Sequence, residues 1–256
     1  MNEERFTGKA DIYKKFRPSY PPELIDYLYS EVGFRADSTI ADIGAGTGIF
    51  SRLLLERGSH VICVEPNDDM RRNAENDLSL FENFTAVKAP AENTGLQEGS
   101  VDFVVVAQAF HWFDTALFKT ECRRILKSGG KVAVVWNTRD FEPEFMKRDY
   151  EIRLKYCVDT KGMSKPGLRE NSLTGGKVRA FFTENTFEER IFRNDWLLTR
   201  EAYIGRSLSS SYSPSEDNNP EKYHGFVKAL NRLFDEFGVN GTINSSQYTE
   251  SYTGTV

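Results

Sequence analysis

Residues 39–65 constrain the fold more than any other stretch of this chain. Thr39-Ile40-Ala41-Asp42-Ile43 is a short apolar strand pattern that runs straight into Gly44-Ala45-Gly46-Thr47-Gly48. A helical pattern follows from Ile49 to Arg57, and a second apolar strand, Val61-Ile62-Cys63-Val64, ends in an acid, Glu65. This is a βαβ unit with a glycine-rich first turn and a carboxylate at the tip of its second strand. Such a turn brings backbone N–H groups and a helix N-terminus close to a ligand, and the acid can accept hydrogen bonds from two ribose hydroxyls. The unit therefore reads as a nucleoside site.

The glycine spacing narrows the choice of nucleoside. A dinucleotide fold wants G-x-G-x-x-G, in which the third glycine lets the helix pack close to the pyrophosphate. Here that place is taken by Ile49, and the glycines read G-x-G-x-G at Gly44, Gly46 and Gly48. Asp42 stands two residues before the first glycine, where an anionic pyrophosphate gains nothing and a cationic amino-acid head group does. A plain strand–turn–helix would need only the bend, without two acids in register.

This motif resembles motif I of the class I S-adenosylmethionine-dependent methyltransferases, in which the loop wraps the methionine moiety. The resemblance implies that Asp42 faces the amino group of S-adenosyl-L-methionine, that Gly44, Ala45, Gly46 and Thr47 cradle it with Gly46 at the close approach, and that Glu65 binds the ribose diol. The product would be S-adenosyl-L-homocysteine.

Strands and helices keep alternating. Asp68 to Leu80 reads as a helix, Thr85–Lys88 as a short strand, and Val101–Ala107 as a central strand covered on both faces. A helix over about 115–126 should end at Lys127-Ser128-Gly129-Gly130, with glycine as its C-cap. Lys131–Asn137 is another buried strand. Farther on, Glu142–Tyr156 and Val178–Phe182 read as helices, 159–176 as loop, Phe187–Arg193 as a strand and Glu221–Phe237 as an amphipathic helix. Gln247–Thr253 alternates as a last strand. The expected fold is α/β, a Rossmann-like doubly wound sheet of seven strands, mostly parallel with an antiparallel last strand. Helical lid insertions are expected over about 138–186 and 194–240. The whole of 1–256 is expected to be a single methyltransferase domain: an N-terminal arm and helix (1–37), a cofactor-binding core (38–137), and lid helices with closing strands (138–256).

Ligands of open α/β sheets sit outside the carboxyl ends of the strands, which places further contacts. Glu65-Pro66-Asn67 leads to Met70, whose thioether side chain could cover an adenine face. Ala89-Pro90-Ala91-Glu92 resembles the family segment in which the positions of Ala91 and Glu92 lie by the adenine edge. Gln108 and His111 follow the central strand, in Ala107-Gln108-Ala109-Phe110-His111-Trp112-Phe113-Asp114. A neutral imidazole there could take a proton from a hydroxyl or carbon acid as it is methylated, or could only shape the pocket. The segment Tyr13-Lys14-Lys15-Phe16-Arg17-Pro18-Ser19-Tyr20-Pro21 resembles the "Y-x-x-x-R-P-x-Y-P" arm of type 11 methyltransferases close to trans-aconitate methyltransferase. That likeness implies that Tyr13 and Arg17 fold over the cofactor mouth.

Composition sets the exclusions. A net charge of −5 over 256 residues, with only short basic runs such as Arg123-Arg124, argues against nucleic acid as the partner. No apolar run approaches the ~20 residues that span a bilayer, and the polar start Met1–Arg5 lacks a signal-peptide core. Cys63, Cys122 and Cys157 are scattered and read as reduced packing residues of a cytoplasmic protein, and no spacing suits a metal. The expected partner is a small-molecule substrate, with no nucleic acid and no membrane, in a monomer or homodimer. The methyl acceptor would be a carboxylate, hydroxyl or carbon acid. A non-catalytic S-adenosylmethionine-binding regulator and, opposed by Ile49 and Asp42, an NAD-dependent oxidoreductase remain as alternatives.

Overall fold

The computed structural model describes residues 19–158, 160, 163, 175–210 and 212–256. Tyr13 and Arg17 lie outside the described residues, as does most of the expected 159–176 loop. Helix α1 spans Pro22–Tyr27 with proline in its first turn, and a π-turn, Leu28–Val32, closes on Gly33 in the left-handed region at φ 105°.

Strand β1 (Thr39–Ile43) leads through the glycine turn into α2 (Ile49–Leu55), and β2 is His60–Val64. Then come α3 (Asp68–Leu78), β3 (Phe84–Val87), β4 (Val101–Ala107), α4 (Thr115–Ile125) and β5 (Leu126–Arg139). The later elements are α5 (Glu144–Tyr156), α6 (Gly175–Phe181), β6 (Glu188–Arg193), β7 (Trp196–Thr199), α7 (Arg200–Leu208), α8 (Pro220–Phe237), β8 (Thr242–Ser245) and β9 (Gln247–Gly254).

Among the described residues seven strands form one sheet in the order β3-β2-β1-β4-β5-β9-β6. The first five are parallel, and β9 runs antiparallel to both β5 and β6. The expected seven-stranded Rossmann-like sheet with its antiparallel last strand is present.

Helix starts follow from local capping. Asn67 Oδ1 accepts the Met70 N–H, Asp114 Oδ1 accepts those of Ala116 and Leu117, and Asn219 Oδ1 accepts that of Lys222. Each cap satisfies a donor that the first helical turn would otherwise leave bare. One apolar cluster packs α1 and α2 on one face of the sheet, around Leu24, Leu28, Phe50, Leu54, Val105 and Val135. A second lies on the opposite face around Val104, Phe110, Phe118, Val134 and Phe181. A third stands apart, where Phe226, Leu230, Leu233 and Phe234 of α8 meet Phe145 and Met146 of α5 and Tyr203 of α7. Burying each such side chain contributes about 1.5–3 kcal/mol, which is ample to hold these helices together.

Two expectations are corrected here. Gly129-Gly130 is no C-cap: α4 is followed directly by Leu126 in extended conformation, which already pairs with Val101. The register shifts between Val101 and Phe103, and the glycines serve that irregularity. Gly129 has φ +79°, and a Cβ on Gly130 would stand 2.8 Å from the Asp102 carbonyl oxygen. Second, 194–240 is not helical throughout, because β7 pairs antiparallel with β8 in a separate two-stranded sheet. Its strands are four residues long, and Leu197 is 75% exposed beside buried Leu198, a weak period-2 signal in the sequence.

Buried Glu121 shows how the core pays for a charge. Its Oε1 accepts the Thr94 backbone N–H (2.8 Å), the Thr94 hydroxyl (2.5 Å) and Arg124 Nη2 (2.7 Å), while Oε2 accepts Arg124 Nε at 2.8 Å. The Arg124 hydrogen bonds lead in holding its carboxyl down at about 2, against burial. A depressed carboxyl stabilises the fold above its unfolded value of 4.5, and that contribution disappears as pH falls toward 2. Glu121→Gln should therefore lose about 1–3 kcal/mol at neutral pH, with the deficit shrinking below pH 4.5, in urea titrations across that range.

Candidate active site

A cleft opens outside the carboxyl ends of β1, β4 and β5, where the sheet order reverses direction from β1 to β4. The space over it, open solvent included, measures about 460 Å³. Its walls are Tyr20, Gly44, Ala45, Gly46, Thr47, Ile49, Phe50, Ala107, Gln108 and Asn137.

The turn has the backbone its glycines suggest. Gly44, Gly46 and Gly48 all have positive φ, at 70°, 58° and 78°. A Cβ on Gly44 would lie 2.6 Å from the Cβ of Ala109, and one on Gly48 would lie 2.6 Å from Leu78 Cδ1. Close approach is therefore the business of Gly44 and Gly48. Gly46 would meet nothing within 4 Å, and its requirement is the left-handed backbone alone. The open space above Gly46 leaves room for the ligand approach expected there.

Glu65 is buried and braces this turn. Its Oε2 accepts the Gly46 N–H at 2.9 Å, and its Oε1 accepts the Asn67 N–H at 2.9 Å. Asp42 lies beneath the turn at 0% exposure and is not a wall of the cleft. Its Oδ2 accepts the Ser51 hydroxyl at 2.5 Å, while Oδ1 has no hydrogen bond among the described residues. Burial pushes the Asp42 carboxyl up to about 7, the Ser51 bond works against that, and the nearby Glu65 charge adds to it.

Of the other expected residues, Ala45, Thr47 and Gln108 line the cleft. Gln108 has φ 64°, an uncommon conformation for a residue with a side chain, and it turns the chain out of β4. Pro66, Met70, Ala91 and Glu92 follow β2 and β3 and do not reach the cleft wall. Met70 and Ala91 are buried, and Glu92 Oε1 accepts the Asp114 N–H at 2.8 Å, tying two loops together. His111 sits on a short 3₁₀ turn, Phe110–Trp112, with its ring 4.2 Å from that of Trp112 and 5.0 Å from that of Trp136. It is not a cleft wall.

The sequence reading missed Ile49, Phe50, Ala107 and Asn137 as walls. Tyr20 packs edge-on against Phe50 with ring centroids 4.9 Å apart. Asn137 was within reach of a simple rule, since a polar residue ends an apolar strand at its carboxyl edge.

This sheet order, with its glycine turn at the point where the strand order reverses, defines a Rossmann-like fold. Residues 41–134 match the family model described as a methyltransferase domain. An uncharacterized methyltransferase of Mycobacterium tuberculosis is 41% identical over 135 residues, covering 53% of this chain and 53% of the relative. A probable S-adenosylmethionine-dependent methyltransferase of Saccharomyces cerevisiae is 30% identical over 139 residues, covering 52% of this chain and 46% of its own. The chain thus spans about half the length of the curated relatives it matches. Among solved structures, one described as a type II methyltransferase from Anaeromyxobacter dehalogenans superposes with a TM-score of 0.66 at 25% identity, covering 94% of this chain and 98% of that one. The YcgJ protein of Bacillus subtilis shares the fold with a TM-score of 0.54 at 20% identity, over 92% and 100% of the two chains. Among the described residues no helix is long and apolar enough to cross a membrane.

The raised Asp42 carboxyl has a measurable sign. The folded state holds a proton that the unfolded state has lost between pH 3.8 and about 7, so this group makes stability fall as pH rises through that window. Asp42→Asn should remove that fall, gaining on the parent by about 3 kcal/mol between pH 5 and 8. Chemical denaturation of both proteins at the two pH values measures it, and equal differences at both would mean that Asp42 ionises as an ordinary surface acid.

Proposed function

We propose that the protein transfers the methyl group of S-adenosyl-L-methionine to a small-molecule acceptor. The observation that carries this reading is the cleft itself: a positive-φ glycine turn held by Glu65 and backed by buried Asp42, at the carboxyl ends of β1 and β4. The residues fit the cofactor on two further counts. The turn leaves no room for a Cβ at Gly44 and keeps its backbone bare toward the cleft. Asp42 keeps one buried carboxylate oxygen without a hydrogen bond among the described residues, beneath the place where a cationic amino-acid head group would lie.

When bound, the cofactor supplies a sulfonium-activated methyl group. The chain's own part is placement and shelter. The glycine turn lines the cleft with bare backbone, its Gly44 and Ala45 N–H groups given to the Val64 carbonyl and that of Gly46 to Glu65, and Glu65, at the tip of β2, offers its remaining lone pairs to vicinal hydroxyls. Tyr20 and Phe50 form an aromatic wall that limits water at the cleft. Holding two reactants in line in this way lowers a transfer barrier by several kcal/mol without acid or base. A carboxylate acceptor would need no base. His111, with its ring tilted against Trp112 and edge-on to Trp136 away from the cleft wall, draws no support from this geometry as the base for other acceptors. A small-molecule acceptor is favoured over nucleic acid by the net charge of −5.

Calorimetry with S-adenosylhomocysteine against NADH tests the reading: the first should bind and the second should not. Glu65→Ala should weaken S-adenosylhomocysteine by about 1–3 kcal/mol, because both a charge-assisted acceptor and the brace on Gly46 are lost. Unchanged affinity in that variant would take Glu65 out of the site.

A further inference from the structure

The far wall of the cleft carries a side chain whose orientation the surrounding hydrogen bonds dictate. Asn194, buried between β6 and β7, sends Nδ2 to the backbone carbonyl of Ser19 at 3.1 Å. A carbonyl oxygen only accepts, so it is the nitrogen of Asn194 that faces this way. The same Nδ2 reaches the Thr249 hydroxyl oxygen at 3.0 Å and Asn137 Oδ1 at 3.3 Å. Thr249 Oγ1 accepts from Asn194 and so gives its own proton onward, to Asn137 Oδ1 at 2.5 Å. Thr249 faces Asn137 directly across the β5–β9 ladder and is completely buried. The oxygen of the Asn137 carboxamide thus accepts the Thr249 proton, with the Asn194 Nδ2 beside it at 3.3 Å. Its N–H2 must point the other way, and no described residue takes a hydrogen bond from it.

Charge then decides what that donor meets. The two acids of the site, Asp42 and Glu65, belong to β1 and the tip of β2, whereas Asn137 belongs to β5. The sheet order places β5 two strands beyond β1, about 10 Å away. An amino-acid zwitterion in this cleft is oriented by that asymmetry, with its ammonium toward the acids and its carboxylate toward the neutral donor wall.

We propose that the Asn137 carboxamide N–H donates to the carboxylate of the cofactor's amino-acid end, and that Thr249 and Asn194 are positioning residues that keep the carboxamide turned this way. The inference rests on the S-adenosylmethionine reading above. Because Asn194 is fixed by Ser19, the orientation of this donor is coupled to the segment just before α1.

Two probes separate the parts of the ligand: S-adenosylhomocysteine carries the amino-acid end, and 5′-methylthioadenosine lacks it. In calorimetry Asn137→Ala should weaken S-adenosylhomocysteine about tenfold or more and leave 5′-methylthioadenosine unchanged. Asn137→Asp keeps the shape and the bond from Thr249 while replacing the donor by an acceptor, and should weaken S-adenosylhomocysteine further still. Thr249→Val should reproduce the selective loss although Thr249 touches no ligand, and Thr249→Ser should restore binding. Thermal melts of each variant establish that it is folded, and the Asp and Ser variants carry the test if the Ala or Val variant is not. Undiminished S-adenosylhomocysteine affinity in the Asn137 variants overturns the proposal, as does an equal loss for both probes. Normal binding by Thr249→Val overturns the positioning role. A parent protein that binds neither probe would instead overturn the cofactor reading on which all of this stands.

Discussion

The site depends on how closely a turn can lie against the strand end beside it. Position 44 has no room for a methyl group, since a Cβ there would stand 2.6 Å from the Cβ of Ala109 and 3.1 Å from the Phe113 ring. The loop after β1 is therefore pressed onto the loop after β4, and the gap between those two strand ends becomes the cleft. The contact also brings together two stretches of positive-φ backbone, the glycine run at 44–48 and Gln108 at φ 64°. Strain at Gln108 is a local cost that the packed sheet around it supports. Glu65 completes the arrangement by holding the Gly46 N–H from the neighbouring strand.

A second layer of organisation lies beyond β5. The cluster built from α5, α7 and α8 has its own apolar core, and its polar centre is Asp149. Asp149 accepts from Arg153 at 2.6 Å and from the Tyr203 hydroxyl at 2.7 Å, and lies 3.4 Å from Arg139 at the end of β5. Burial alone would push the Asp149 carboxyl up, but the two arginine charges hold it low. This carboxylate is ionised where hydrocarbon surrounds it, and removing either arginine would leave a poorly compensated charge. Arg139 therefore ties the helical cluster to the sheet two residues beyond a cleft wall.

Much of this was legible in the sequence, for physical reasons. Buried parallel strands must be apolar on both faces, and a glycine turn with acids at fixed offsets leaves a pattern that no other fold imitates well. The sheet from Thr39 to Asn137 and its two closing strands could be read in this way. The β7–β8 pair could not, because four-residue strands with an exposed Leu197 carry little alternation. The residues grouped by strand order alone, such as Met70, Ala91 and Glu92, fell at the ends of β2 and β3 and missed the cleft wall. The place of Asn137 at the carboxyl end of an apolar strand was readable, but the orientation of its carboxamide is set by Thr249, 112 residues later. No local pattern encodes a partner at that distance.

The place of β9 has a consequence for how the molecule comes into being. It lies between β5 and β6, so β6 has no strand to join until residues 247–254 exist. On a ribosome β1 to β5 can assemble as each appears, while β6 leaves the exit tunnel with both its edges bare. Its run of Glu188, Glu189, Arg190 and Arg193 keeps such an edge from pairing with a neighbour while it waits. The same late insertion brings Thr249 to Asn137. The last strand to be synthesised is thus the one that sets the far wall of the cleft, and a nascent chain that has already closed its glycine turn still lacks a finished pocket.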